Sequence, residues 1–207
     1  MKHEELKVVI SSSVALAFGC AIIYLYFIGN SLELQSIWKA LSYGITLSTG
    51  FWTFFMTIGW KWKILNLVFY RPDLNGTWSG VIISDWKDKE GKTKPPIPFY
   101  LVIRQSFLRL HITTFTTDFV GVSYSESWSL KKHKGLKNIS YLYRKDTSQY
   151  GDFELQEGAA ELRLIEGELK ALEGKYWSSR KTNGSIKVSW ISKKYIDSFE
   201  MAKKLEA

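Results

Sequence analysis

Two long uncharged runs near the N-terminus, a switch to period-two alternation after residue 76, and glycine-containing turns between the alternating runs point to one fold class. It is a membrane-anchored all-β protein: an N-terminal hairpin of two transmembrane helices followed by an eight-stranded antiparallel up-and-down β-barrel. The expected boundaries are 1–63 for the two helices, 64–75 for an interfacial linker, 76–194 for a cytoplasmic ligand-binding barrel and 195–207 for a short terminal helix.

The first run, Val8 to Ile28, and the second, Ala40 to Trp60, carry no charge. At about 1.5 Å per residue each is long enough to cross about 30 Å of hydrocarbon. The first is long for a signal peptide and the second follows closely, so a retained hairpin is the better reading. Lys2 and Lys7 precede the first span, and Lys61, Lys63 and Arg71 follow the second, whereas the connection offers Lys39 beside Glu33. This bias places both termini in the cytoplasm. Trp52, Trp60, Trp62, Tyr24 and Tyr26 lie where interfacial rings are expected. Ser11, Ser12, Ser13, Thr46, Ser48, Thr49 and Thr53 allow close helix approach, serving either packing within the hairpin or self-assembly in the bilayer. Ile64 to Tyr70 can run along the interface before Pro72 stops it.

Eight strands are expected at 77–86, 97–105, 107–116, 119–131, 137–145, 159–168, 169–180 and 184–194. Ile97, Phe99, Leu101 and Ile103 share one face, and Leu108, Leu110 and Ile112 another. Val120, Val122, Tyr124, Glu126 and Trp128 form a third row, and Ile186, Val188 and Trp190 a fourth. Lys134-Gly135 separates two of the runs, and Asn183-Gly184 is a two-residue hairpin signal. Short loops favour pairing of sequence neighbours, and closure removes exposed edges; a two-sheet sandwich is the alternative. In the tail, Phe199, Met201 and Leu205 either cap one mouth of the barrel or lie on a solvated helix.

The formal net charge of +8 suits an anionic partner: a phosphate-bearing ligand, a nucleic acid or an anionic lipid surface. With one cysteine there is no intramolecular disulfide, and His3, His111 and His133 have no metal-ligand spacing. Neither a Gly-rich phosphate loop nor a G-x-S-x-G elbow is present, and the glutamates between Glu154 and Glu173 mostly alternate with apolar residues, as solvated faces do. No enzymatic activity and no cofactor are expected. Lys131, Lys132, Lys134 and Lys137 form a basic loop, suited to a solvated turn or to anionic head groups.

Gly76-Thr77-Trp78 resembles the opening motif of lipocalin-like barrels, whose tryptophan plugs one end and stacks with an arginine from a late strand. Arg180, at the end of the seventh run, is the arginine for such a plug, a contact worth about 1 kcal/mol. It is equally a phosphate ligand. On the face Leu172, Gly174, Tyr176, Ser178 and Arg180, a ring, a hydroxyl and a cation line up, and Gly174 leaves lumen space. Tyr124, Trp128, Tyr141, Tyr143 and Trp190 extend a stacking surface worth about 1–3 kcal/mol per base, or pack as core. Arg104 and Arg109 are weaker phosphate candidates.

Two N-terminal spans, a linker reading P-D-L-N-G-T-W, an eight-strand region and L-E-G-K-Y-W-S-S-R-K-T-N-G-S-I at 172–186 together resemble the two-transmembrane β-barrel effectors of bacterial cyclic-oligonucleotide antiphage signalling, CBASS. The resemblance spans nearly the whole chain. It implies that a cGAS-like nucleotidyltransferase makes a cyclic dinucleotide, that the cytoplasmic barrel binds it, and that the effector then forms homo-oligomers. Gathering of the spans disrupts the bacterial inner membrane and causes abortive infection. Lipid is the other implied partner, and no DNA or RNA is expected. A membrane-tethered, lipocalin-like carrier of a small apolar molecule is the alternative; a membrane-anchored enzyme and a filled scaffold barrel are further rivals.

Overall fold

In the computed structural model, residues 3–27, 33–62, 64–65, 71–131, 136–146 and 156–206 are described. Most of Ile64–Tyr70, Lys2, Lys132, the Lys134-Gly135 turn and Glu154 lie outside the described residues. The chain divides into a unit of Met1–Asp73 with Ser106–Leu108, and a second of Leu74–Gln105 with Arg109–Ala207.

The first unit is built on α1 (His3–Phe27) and α2 (Leu34–Thr57). Among the described residues, α1 is the helix with the length and apolarity to cross a membrane. Phe18, Ile22, Ile45 and Leu47 turn outward, the reverse of a soluble helix pair. The helices run antiparallel: Tyr24 stacks on Tyr43 at 4.9 Å, and Ser48 Oγ donates to the Ser13 carbonyl at 3.1 Å. A Cβ at Gly44 would collide with the Ala17 carbonyl, so glycine permits this approach. Ser12, Ser13, Thr46 and Thr49 bond back to carbonyls of their own helix, which satisfies their hydroxyls without water. In the same unit Phe55, Trp60 and Phe107 form a buried cluster, and the Arg71 guanidinium lies 4.6 Å from the Phe107 ring.

The second unit is a closed barrel of β1 (Gly76–Ser84), β2 (Ile97–Gln105), β3 (Leu110–Phe115), β4 (Val120–Lys131), β5 (Leu136–Asp146), β6 (Gln156–Glu166), β7 (Lys170–Ser178) and β8 (Asn183–Ser192). Neighbours in sequence pair antiparallel, and β1 closes on β8 from Thr77↔Ser192 to Ser84↔Gly184. Closure, not a sandwich, is how this meander removes its edges.

Three local expectations are corrected. Asn183 and Gly184 are not the hairpin turn; they begin β8, opposite Trp177 and Tyr176. The turn lies one step earlier, closed by Ser178 N–H to the Thr182 carbonyl, with Lys181 taking the left-handed conformation at φ 56°. Arg180 therefore sits in that turn, beyond the end of β7. In β4, a bulge at Tyr124 shifts the register between Ser123↔Tyr143 and Ser125↔Leu142. It reverses the alternation, so the expected row from Val120 to Trp128 is split: Ser123 is buried while Val122 and Tyr124 face outward. The third concerns the tail. α3 (Phe199–Glu206) neither caps a mouth nor stands free. Phe199 and Ala202 pack on Tyr100, Val102 and Phe115, which point out from β2 and β3, and Tyr100 Oη donates to Glu206 at 2.7 Å. Burial, then Glu206, push the Tyr100 phenol up to about 12.

Candidate functional site

The barrel interior changes character along its length. At one end Leu101, Ile103, Ile112, Ile139, Leu162 and Leu172 fill the lumen around a fully buried Trp78. Trp78 Nε1 donates to the Leu74 carbonyl at 3.0 Å, and Trp190 Nε1 to the Asn75 carbonyl at 3.1 Å. Asn75 in turn accepts from Gln105 N–H at 2.8 Å. This is a tryptophan plug held by backbone carbonyls. Arg180 takes no part in it: Trp78 opposes Trp190 at the end of β8, whereas Arg180 precedes the start of that strand.

At the other end the same strands enclose a cavity of ≈ 440 Å³. Its inner wall carries Tyr141, Tyr143 and Tyr176 with Ile82, Phe99 and Ile186; Ser84, Thr114, Ser178 and Gln156 add polar groups. Lys94, Lys145 and Arg180 form its rim with Trp86, Asp118 and Phe119. The hollow exists because inward positions shrink toward this end. On β6 they run Leu164, Leu162, Ala160, Gly158; on β3 they run Leu110, Ile112, Thr114. A Cβ at Gly158 would come within 2.5 Å of the Tyr143 hydroxyl, so glycine leaves room for that ring. Gly174 does something different from the lumen-opening part expected of it: a side chain there would strike the Glu161 carbonyl, so its smallness serves close approach of β6 and β7.

The rim is cationic by design of its neighbours. Lys94 Nζ lies 4.8 Å from the Trp86 ring centre and Lys145 Nζ 4.5 Å from that of Phe119. Burial lowers the pKa of Lys145, with further lowering from Arg180 and Lys94 and an opposing effect from Asp118. Inside, burial pushes the Tyr141 phenol far up, and the Tyr143 phenol to about 12 with help from Tyr176. These hydroxyls stay neutral at physiological pH and act as hydrogen-bonding groups, not charges. Among the described residues, no general base and nucleophile are paired there. Among the described residues, three cations and one carboxylate above a neutral aromatic wall suit an anionic ligand with planar parts.

Of the expected site residues, the cavity brings together Arg180, Tyr176, Ser178, Tyr141 and Tyr143. The other four lie elsewhere. Tyr124 is 53% exposed on the outer wall, put there by the bulge, with the Arg144 guanidinium 5.7 Å from its ring. Trp128 packs against the apolar core, and Trp190 belongs to the plug. Arg104 is outside, 3.6 Å from Asp197 and stacked on Tyr195; Arg109 is also exposed. Glu157, Glu173 and Glu166 stand in cross-strand ion pairs with Arg144, Lys187 and Lys137. Lys145, Lys94, Asp118, Gln156, Trp86 and Phe119 went unforeseen. Lys145 had a signal, since it shares the alternation of Tyr141 and Tyr143. Lys94 lies in an irregular loop, where no periodicity assigns a face.

Fold and site define a small closed receptor barrel, plugged at one end, open at a cationic mouth, and preceded by an apolar helical segment. The chain belongs to the Cap15 family: the model of the Cap15 cyclic dinucleotide receptor domain matches residues 69–189. It is 29% identical over 151 residues to CD-NTase-associated protein 15 of Escherichia albertii, covering 70% of this chain and 74% of that one. It is also 28% identical over 155 residues to CD-NTase-associated protein 15 of Staphylococcus schleiferi, covering 72% and 77%.

Proposed function

We propose that this protein is a CBASS antiphage effector whose barrel binds a cyclic dinucleotide in the ≈ 440 Å³ cavity, with the phosphates at Lys94, Lys145 and Arg180. The observation that carries this is the rim. Among the described residues, the cavity lining holds Lys94, Lys145 and Arg180 with Asp118, a cationic mouth suited to the phosphodiesters of such a messenger. Family membership supports the same ligand class. An apolar guest would bring no groups to match the polar and cationic lining of the mouth, which disfavours the carrier alternative. The protein acts as a receptor and effector, not as an enzyme.

In this reading the chain is a multi-pass protein of the bacterial inner membrane with both termini cytoplasmic. Residues 1–63 cross the bilayer as a hairpin, 64–75 lie at the interface, 76–194 sense the messenger, and 195–207 brace the barrel. Ligand binding favours homo-oligomers, which gather the spans and disrupt the membrane. Moving such an equilibrium from mostly apart to mostly together takes about 5.5 kcal/mol of differential binding, shared among the ligands bound in one assembly. The test is calorimetry of the full chain in lipid nanodiscs with cyclic dinucleotides and, as controls, linear dinucleotides and fatty acids. Selective binding of the cyclic ligands is expected; selective binding of fatty acids would establish the carrier instead.

A further inference from the structure

The cavity is graded, and a cyclic dinucleotide is not. Its two phosphates belong to a central sugar–phosphate ring, and its two bases project from opposite ends of that ring. Among the described residues, the charged side chains that line the cavity, Lys94, Lys145, Arg180 and Asp118, belong to the rim. Charged phosphates placed deeper would lose water with no counter-ion. With the ring held at the rim, one base enters the barrel and the other stays outside.

The inner wall is built to meet a base. Tyr141 is 3% exposed. Its neighbour Tyr143 lies with ring centres 6.0 Å away and planes at 49°, too tilted for the two rings to stack. Burial and Tyr143 are the influences on its phenol, and no hydrogen bond to that hydroxyl is present among the described residues. The hydroxyl opens onto the cavity, where a hydrogen bond to a guest takes the place of one to water. Gln156, 4% exposed, brings an amide to the same cavity. Among the described residues, the rim is more open than the inner wall: Trp86 is 42% exposed.

We infer that the barrel reads its ligand asymmetrically, with one base enclosed against Tyr141, which selects it, and the other base stacked at the mouth with little discrimination. This rests on the reading of the barrel as a cyclic dinucleotide receptor. Tyr141 is then a specificity-determining residue, while Lys94, Lys145 and Arg180 supply affinity common to all ligands of the class.

Affinities of the full chain in nanodiscs for six probes test this: cyclic diuridylate, diadenylate and diguanylate, and the three mixed pairs, all with 3′–5′ linkages. The homodimers should differ by about tenfold or more, the worth of one or two hydrogen bonds to a buried edge. Each mixed ligand should bind within about threefold of its tighter homodimer, because the better base takes the enclosed place and only the orientation is lost. A site that reads both bases alike gives the geometric mean of the homodimers, and that result overturns the inference while leaving the receptor intact. Equal affinity of all six overturns it too. Binding of none overturns both the inference and the receptor reading. Tyr141→Phe should shrink the homodimer spread to under about threefold, whereas Lys145→Ala should weaken all six equally. An unchanged spread in folded Tyr141→Phe removes Tyr141 from the role. Should that variant fail to fold, the wild-type series decides alone.

Discussion

The two ends of the barrel are made by the same eight strands with the same inward alternation, yet one is solid and the other hollow. The solid end places Leu, Ile and Trp at inward positions and ties its tryptophans to backbone carbonyls. The hollow end replaces them with Gly, Thr and Ser, with tyrosines lining the wall and cations at the rim. The difference teaches that a barrel of this size need not choose between filled core and binding site. The filled half supplies the burial that holds the fold, and this frees the other half to keep an open lumen lined by polar groups with like charges at its mouth.

This comparison can be broken most sharply by reversing it. Thr114→Trp places a large ring in the hollow and should lower cyclic dinucleotide affinity by about 100-fold or more, with the barrel still folded by circular dichroism, since blocked space outweighs any single polar contact. At the solid end, Leu172→Ala should cost about 2–5 kcal/mol in denaturant unfolding and leave affinity within about threefold. Equal effects of the two on binding would mean that the ends do not divide the labour.

Smaller effects sharpen the picture of the rim. Lys145→Ala should weaken binding by about 10- to 100-fold, the worth of a charge-assisted contact, and reduce the salt dependence of binding. Lys145 also makes binding depend on pH. Burial, Arg180 and Lys94 hold its pKa below the usual lysine value, with Asp118 opposing. A bound phosphate raises it again, so in the window between the free and bound values the protein takes up a proton on binding. Affinity should therefore fall as pH rises through that window, and Lys145→Arg should abolish the slope. Titrations in buffers of different ionisation enthalpy measure the proton directly. The smallest effects belong to the outer wall: Tyr124→Ala and Arg104→Ala should leave affinity within about twofold, as exposed contacts away from the site do.

How much of this was legible depends on the kind of signal. The eight strands and their closure follow from alternation and short turns, and all eight expected runs share most of their length with the observed strands. The expected 107–116 run was too long, because Phe107 packs in the helical unit and Leu108 is exposed, so β3 begins only at Leu110. The face through Tyr176 and Ser178 likewise followed from alternation. Tyr124 was misplaced because a bulge reverses alternation without changing composition. Trp190 and Arg180 share inward or turn positions on adjacent strands, and sequence alone did not say that they serve opposite ends. Lys94 became visible only through the path of its loop. The tail illustrates the same limit: its apolar residues were evident, but their target, the outward Tyr100, Val102 and Phe115, needed the sheet to be curved.

The most direct measurement is a calorimetric titration of the full chain in nanodiscs, wild type against the Lys145→Ala, Arg180→Ala double variant, with the tightest-binding cyclic dinucleotide. The expected result is one ligand per barrel in the wild type and no measurable binding in a double variant that melts at the same temperature. Undiminished affinity in that folded variant would contradict the assignment of the phosphates to the cationic mouth.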